Sequence, residues 1–174
     1  MRLALLFACL ATPLLAGSVT YDPSRFILEQ GVFCEVPTTG SLPAPGTAAG
    51  QIELFDEVPE FQWHTARLPA VPGLSFGIRS EATDGLNYPG VVLTLTHPPF
   101  SESGVTRQSY VTALGGFGLS INAYTFDLEE ELVTGTWVFT ATAGDTELYR
   151  ATFEVVPPAL MPEIAAACGG LPLS

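Results

Sequence analysis

The chain has 174 residues and a one-sided charge: 18 Asp and Glu stand against 6 Lys and Arg, for a net charge of −12. All the basic residues are arginines, and lysine is absent. Such a surface repels phosphate backbones and anionic lipid head groups, which excludes nucleic-acid binding and electrostatic membrane docking.

The N-terminus carries the first element. Arg2 gives a positive start, residues 3–15 are apolar, and Ala16-Gly17-Ser18 supplies small residues. This is the three-part pattern of a secretory signal over residues 1–18, with cleavage expected between Ser18 and Val19. The apolar stretch is too short for a hydrocarbon core of ~30 Å. Leu6-Phe7-Ala8-Cys9 makes a poor lipobox, because Phe7 stands where a small residue is wanted and almost no apolar region precedes Cys9. The mature protein is therefore expected in the periplasm or outside the cell, with no stable membrane insertion. It loses Arg2 and becomes one unit more negative.

Cys9 leaves with the signal, so Cys34 and Cys168 remain. Two cysteines in an oxidising compartment most simply pair with each other. The bridge would close a loop of about 135 residues, which chain-entropy reasoning values at up to roughly 5 kcal/mol. No CxxC and no adjacent histidine suggests a metal or redox role for either.

Gly (17) and Pro (15) punctuate short apolar runs, a pattern of many short strands rather than long helices. Residues 19–50 read as an N-terminal strand region, 25–29 and 31–36 with a break at Gly31, followed by a flexible Pro/Gly-rich loop over 37–50. Residues 51–156 read as the β-sandwich domain. Segments 51–55 and 60–67 are expected strands, and 68–73 an irregular connector. Period-two alternation places Phe76 and Ile78 on one face of 75–80. It turns Val91, Leu93 and Leu95 inward in 91–96. Segments 109–114 and 119–126 follow, joined by Gly115-Gly116. The strongest signal is a hairpin: 136–142 with Trp137, Phe139 and Ala141 inward, a turn at Ala143-Gly144-Asp145, then 147–156 with Tyr149, Ala151, Phe153 and Val155 inward. Residues 157–174 form the last unit, a short helix started by Pro162 and stopped at Gly169-Gly170, tied back by the disulfide. About 7–9 strands without βα alternation predict an all-β, antiparallel, immunoglobulin-like β-sandwich, with a closed barrel as the competitor.

The run Leu132-Val133-Thr134-Gly135-Thr136-Trp137-Val138-Phe139, with Leu148 and Phe153-Glu154-Val155, has a family cadence. Together with Phe76-Gly77 and Thr96-His97-Pro98-Pro99, it resembles a family of small exported bacterial domains of unknown function with an immunoglobulin-like fold. The likeness covers about residues 51–156, leaving Cys34 and Cys168 outside. It implies a fold and a compartment, and no activity, cofactor or catalytic residue.

Chemistry-bearing constellations are thin. His64 and His97 are the only histidines. Alternation turns His64 to solvent opposite Trp63, and His97 reads as a loop-edge residue. They lack the spacing that would place two zinc ligands together. No serine occupies a G-x-S-x-G elbow. The run Asp127, Glu129, Glu130, Glu131 is the place to look for a glycosidase carboxylate pair, yet it reads first as a solvated loop. Asp84-Gly85-Leu86-Asn87, with Glu81 nearby, offers oxygens for calcium, as does the acidic run, but turn chemistry explains Asp-Gly and Asn equally well. No other cofactor is implied. Trp137 and Tyr149 fall on core faces, which leaves Trp63, His64, Tyr110, Glu129, Glu130 and Glu131 as candidate ligand-surface residues.

The function these readings predict is an exported, non-enzymatic β-sandwich module that acts through an unknown protein partner in the envelope or outside the cell. The alternative is a carbohydrate-binding module or small glycan-active protein using Trp63 or Tyr110 with residues 129–131.

Overall fold

Apolar alternation resolves into two facing sheets in the computed structural model, which describes residues 17–116 and 118–169. Apart from Gly17 and Ser18, the predicted signal lies outside the described residues. Eleven strands are present among them: β1 (Val19–Tyr21), β2 (Phe26–Cys34), β3 (Gly40–Pro43), β4 (Gln51–Leu54), β5 (Arg67–Pro69), β6 (Leu74–Ala82), β7 (Asn87–Thr96), β8 (Arg107–Gly115), β9 (Ser120–Thr125), β10 (Gly135–Ala143) and β11 (Thr146–Val156). A short helix, α1 (Pro162–Cys168), follows them.

The larger sheet runs β1-β11-β10-β7-β8, and β5 joins β11 in parallel beyond the end of β1. The smaller sheet is β2-β6-β9, and β3-β4 is a separate hairpin. The immunoglobulin-like sandwich expected from the sequence is what forms. The extra strands beyond the expected number are short ones.

The hairpin forms as its alternation dictates. β10 and β11 pair from Gly135↔Val155 to Ala143↔Thr146, leaving Gly144-Asp145 as the turn. Gly144 takes φ +56°, a backbone region that favours glycine at this tight reversal. The faces turned inward meet β6 across the sandwich. The ring of Phe76 lies 5.5 Å from Trp137, 5.7 Å from Phe139 and 5.2 Å from Phe153. Trp137, Phe76 and Phe153 are fully buried, and the indole N–H donates to the Val133 carbonyl at 3.2 Å.

Three local expectations are overturned. Gly31 does not break a strand: β2 is continuous and pairs with β6 along its whole length. The glycine serves close approach, since a Cβ there would overlap the Phe61 ring. Segment 60–66 likewise forms no strand apart from a single bridge, Val32↔Trp63, and the strand comes later, as β5 over Arg67–Pro69, where an irregular connector is expected. Segment 60–66 lies over the outer face of the smaller sheet, where Phe61 packs against Phe33 and the Arg79 guanidinium is buried against the Glu60 carboxylate at 2.9 and 3.0 Å. That extra layer is why β6 is buried on both faces through Ser80. Finally, 37–50 is not a structureless loop, because Gly40–Pro43 pairs with Gln51–Leu54.

At the C-terminus, Pro162 opens α1 and Ile164 and Cys168 face inward. A disulfide joins Cys168 to Cys34 at the end of β2. Among the described residues no helix is long and apolar enough to cross a membrane.

Candidate functional site

Each sheet of a sandwich ends in an edge strand, and here β8 and β9 end theirs on the same side of the molecule. Polar side chains fasten the two edges. The Tyr110 hydroxyl donates to Asn122 Oδ1 at 3.0 Å, and Asn122 Nδ2 donates to the Tyr149 hydroxyl at 3.2 Å. Burial pushes both tyrosine hydroxyls above their ordinary pKa, so they stay protonated.

A second relay runs outward from the aromatic core. His97 is stacked between Phe100 and Trp137, with ring centroids 4.1 and 4.5 Å away. It is buried, not a loop-edge residue, and burial lowers its pKa below the ordinary 6.5. The neutral ring donates from Nδ1 to the Pro98 carbonyl at 2.8 Å, which leaves Nε2 to accept from Gln108 Nε2 at 3.2 Å. The other end of the Gln108 amide, Oε1, accepts from the Ala48 N–H at 2.7 Å. Beside it the Ser109 N–H donates to the Gly46 carbonyl at 2.8 Å. These two bonds hold the β3–β4 hairpin against β8 as a flap.

Under the flap lies a cavity of about 270 Å³. Leu93, Leu95 and Phe139 of the larger sheet line it, and Ile52, Leu54 and Phe55 reach it from the flap. Tyr110 and Tyr124 add aromatic surface. An apolar concavity with a few placed polar groups is the usual form of a recognition site.

Its polar end is acidic. Residues Glu129–Glu131 form a 3₁₀ turn directly after β9. Glu131 is buried and its Oε2 accepts from the backbone N–H groups of Asp127 (2.8 Å) and Leu128 (3.1 Å). That bond pattern overturns the reading of 127–131 as a uniformly solvated loop: the third glutamate is a structural acceptor that shapes the turn. Asp127 keeps solvent contact, yet its carboxyl is pushed up to about 6, chiefly by desolvation and then by the charges of Glu131, Glu35 and Glu53. The Tyr124 hydroxyl lies close to Glu131 and Gln108, buried and without a hydrogen-bond partner. Asp127 is held in a range where it can exchange a proton near neutrality, but among the described residues no serine, threonine or cysteine side chain is hydrogen-bonded to it as a nucleophile would be.

A family described as a domain of unknown function, DUF3859, matches residues 23–155. The chain belongs to this family. The immunoglobulin-like fold has its counterpart in a solved immunoglobulin-like protein from Pseudomonas aeruginosa, with a TM-score of 0.52 and 22% identity over 80% of this chain and 97% of that one. No curated protein matches the chain. The DUF3859 match begins well before residue 51, where the sequence resemblance began, so Cys34 lies inside the matched region and Cys168 beyond it.

Of the six candidate residues read from the sequence, the cleft of this DUF3859 domain gathers two, Tyr110 and Glu131. Trp63 is half-buried at the edge of β2, bridged to Val32 and packed against the core, and His64 is exposed beside Phe61. Glu129 is exposed, while Glu130 turns away to accept from the Ser103 N–H at 2.8 Å. The calcium candidate Asp84 instead accepts from the Leu86 N–H at 2.9 Å and from the Tyr88 hydroxyl, as a turn residue does. Among the described residues no three His, Cys, Asp or Glu side chains are grouped as metal ligands. Asn122, Gln108 and the flap were missed. Asn122 did carry a signal, being an amide at an inward position of a strand; the flap carried none.

Proposed function

We propose that the mature protein works outside the cytoplasm as a non-enzymatic binding module, holding an envelope or extracellular protein partner in the flap-covered cleft between β8 and β9. The cleft carries this reading: apolar walls and convergent polar groups suit recognition, and among the described residues Asp127 lacks the bonded serine, threonine or cysteine that acyl transfer through a side-chain nucleophile would call for. The export half rests on the leader pattern and on the Cys34–Cys168 bridge, a bond that persists in oxidising compartments.

The test is a photo-crosslinking side chain placed at Leu54, which lines the cleft, and separately at Leu160, exposed but remote from it. In intact cells the Leu54 protein should give a discrete adduct that the Leu160 protein does not. Identical patterns from both positions, or none from either, overturn the reading. The carbohydrate alternative keeps Tyr110 and Glu131 in one cavity, and the Trp137 ring, 5.3 Å from Tyr124, would report a bound sugar. Saturable fluorescence change with polysaccharide or cell-wall fragments would favour it over a protein partner.

A further inference from the structure

Two strands that line the cleft each have one edge without a strand partner. Among the described residues β9 pairs only with β6, and β4 only with β3. All of residues 121–125 border the cavity, both faces of the strand alike, so β9 presents its unpaired edge to it. Backbone N–H and C=O groups on such an edge are a ready template for a further strand, which supplies affinity through main-chain bonds and specificity through alternate side chains.

The charge inside the cleft says which side chain that strand carries. Asp127 sits in the fields of Glu131, Glu35 and Glu53. None of these four carboxylates takes part in an ion pair among the described residues. Arg25, Arg67, Arg79 and Arg150 are paired with Asp22, Glu154, Glu29 with Glu60, and Glu147. Arg107 reaches Thr94 instead. The cleft is thus a negative site: Glu53, Asp127 and Glu131 line it, only Glu131 is buried, and no arginine stands along the lining. Beside the carboxylates is the buried Tyr124 hydroxyl, whose oxygen has no donor, and the rings of Tyr110 and Tyr124 offer faces that attract a cation.

We infer that the partner enters the cleft as an extended segment paired to the free edge of β9, with a lysine or arginine side chain set against Asp127 and Glu131. This deepens the binding reading above and rests on it.

Fluorescence anisotropy with labelled heptapeptides tests it. Their positions alternate Val and Thr, and the centre is fixed as Lys, Arg, norleucine or Glu. The Lys and Arg peptides should bind about tenfold tighter than norleucine, with Glu the weakest. Asp127→Asn should remove most of that preference and leave norleucine binding unchanged, whereas Glu129→Gln on the exposed side of the turn should alter neither. Methylating alternate backbone nitrogens of the Lys peptide should abolish binding in one phase of the alternation. Equal affinity for Lys and norleucine overturns the charge argument. Equal affinity for the heptapeptide and for N-acetyl-lysine methylamide overturns strand pairing in favour of a small-amine site. Should no peptide bind while the Leu54 crosslinker still captures a partner, this inference falls and the binding reading stands. Loss of the Leu54 adduct as well removes both.

Discussion

The β10–β11 hairpin and the β8–β9 side of the sandwich arise from the same strand alternation, and they are closed by different chemistry. Behind the hairpin, Trp137, Phe139 and Phe153 pack onto Phe76 with no polar side chain between the rings. At the β8–β9 side, the inward positions hold Gln108, Tyr110 and Asn122, and a hydrogen-bonded flap stands where a continuous apolar layer would otherwise be. Packing of rings fixes one arrangement by contact area over every atom. A few directional bonds fix the other and can be exchanged for bonds to a ligand. The domain concentrates its rigidity on one side and its adaptability on the other.

The sharpest way to break that comparison is to remove the anchor of the rigid side. Trp137→Ala deletes the largest fully buried side chain and should cost about 3–5 kcal/mol in chemical denaturation. A variant melting like the wild type would refute the division of labour outright. Next in size is the staple. Replacing Cys34 and Cys168 with serine releases a loop with a sequence separation of 134 and should cost about 2–5 kcal/mol. Hydrogen exchange should show α1 opening first, because only Ile164 and Cys168 bury it, while the β10–β11 amides stay protected.

The acidic turn sharpens the comparison further, because its three glutamates are not equivalent. Glu131→Gln replaces a buried charged acceptor that serves two backbone N–H groups, and should cost about 1–3 kcal/mol. Glu129→Gln, on the exposed side, should stay within about 0.5 kcal/mol. Equal effects in thermal melts would mean that the turn is a solvated run after all.

The rigid side was legible in the sequence and the adaptable side was not, for a physical reason. Burial by rings leaves period-two alternation in β7, β10 and β11, and a capping signature at Pro162 and Gly169, all local signals. The flap depends on Gly46 and Ala48 meeting β8, contacts between residues about sixty positions apart that no local pattern encodes. His97 and Glu131 were misread for the same reason. Their types suggest solvent, and only the tertiary neighbours, a ring on either side of His97 and two backbone donors at Glu131, make their burial affordable. The six candidate residues do not share one surface: Trp63 and His64 lie beside the smaller sheet, away from the cleft, a separation that sequence spacing does not encode.

The smallest expected effect is a dependence on pH in which the two sides of the cleft oppose each other. Asp127 has its carboxyl raised from an ordinary 3.8 to about 6 by desolvation and by Glu131, Glu35 and Glu53. A raised acid favours the folded state in its protonated form, so its stabilisation is complete below the ordinary value and is lost as pH rises through about 6. His97 has its pKa lowered by burial, and its stabilisation is present above the ordinary 6.5 and lost as pH falls through the depressed value. Protonating His97 also abolishes the acceptor for Gln108, so the flap should loosen on the acid side. The two contributions therefore run in opposite directions with pH: that of Asp127 falls as pH rises from 3.8 to about 6, and that of His97 falls as pH drops below 6.5. Asp127→Asn should remove the first and leave the second in place, making the variant the more stable protein above about pH 6 and an equal of the wild type below about pH 4. An Asn variant whose melting curve tracks the wild type across that window would show that Asp127 is not held against the charges of the cleft.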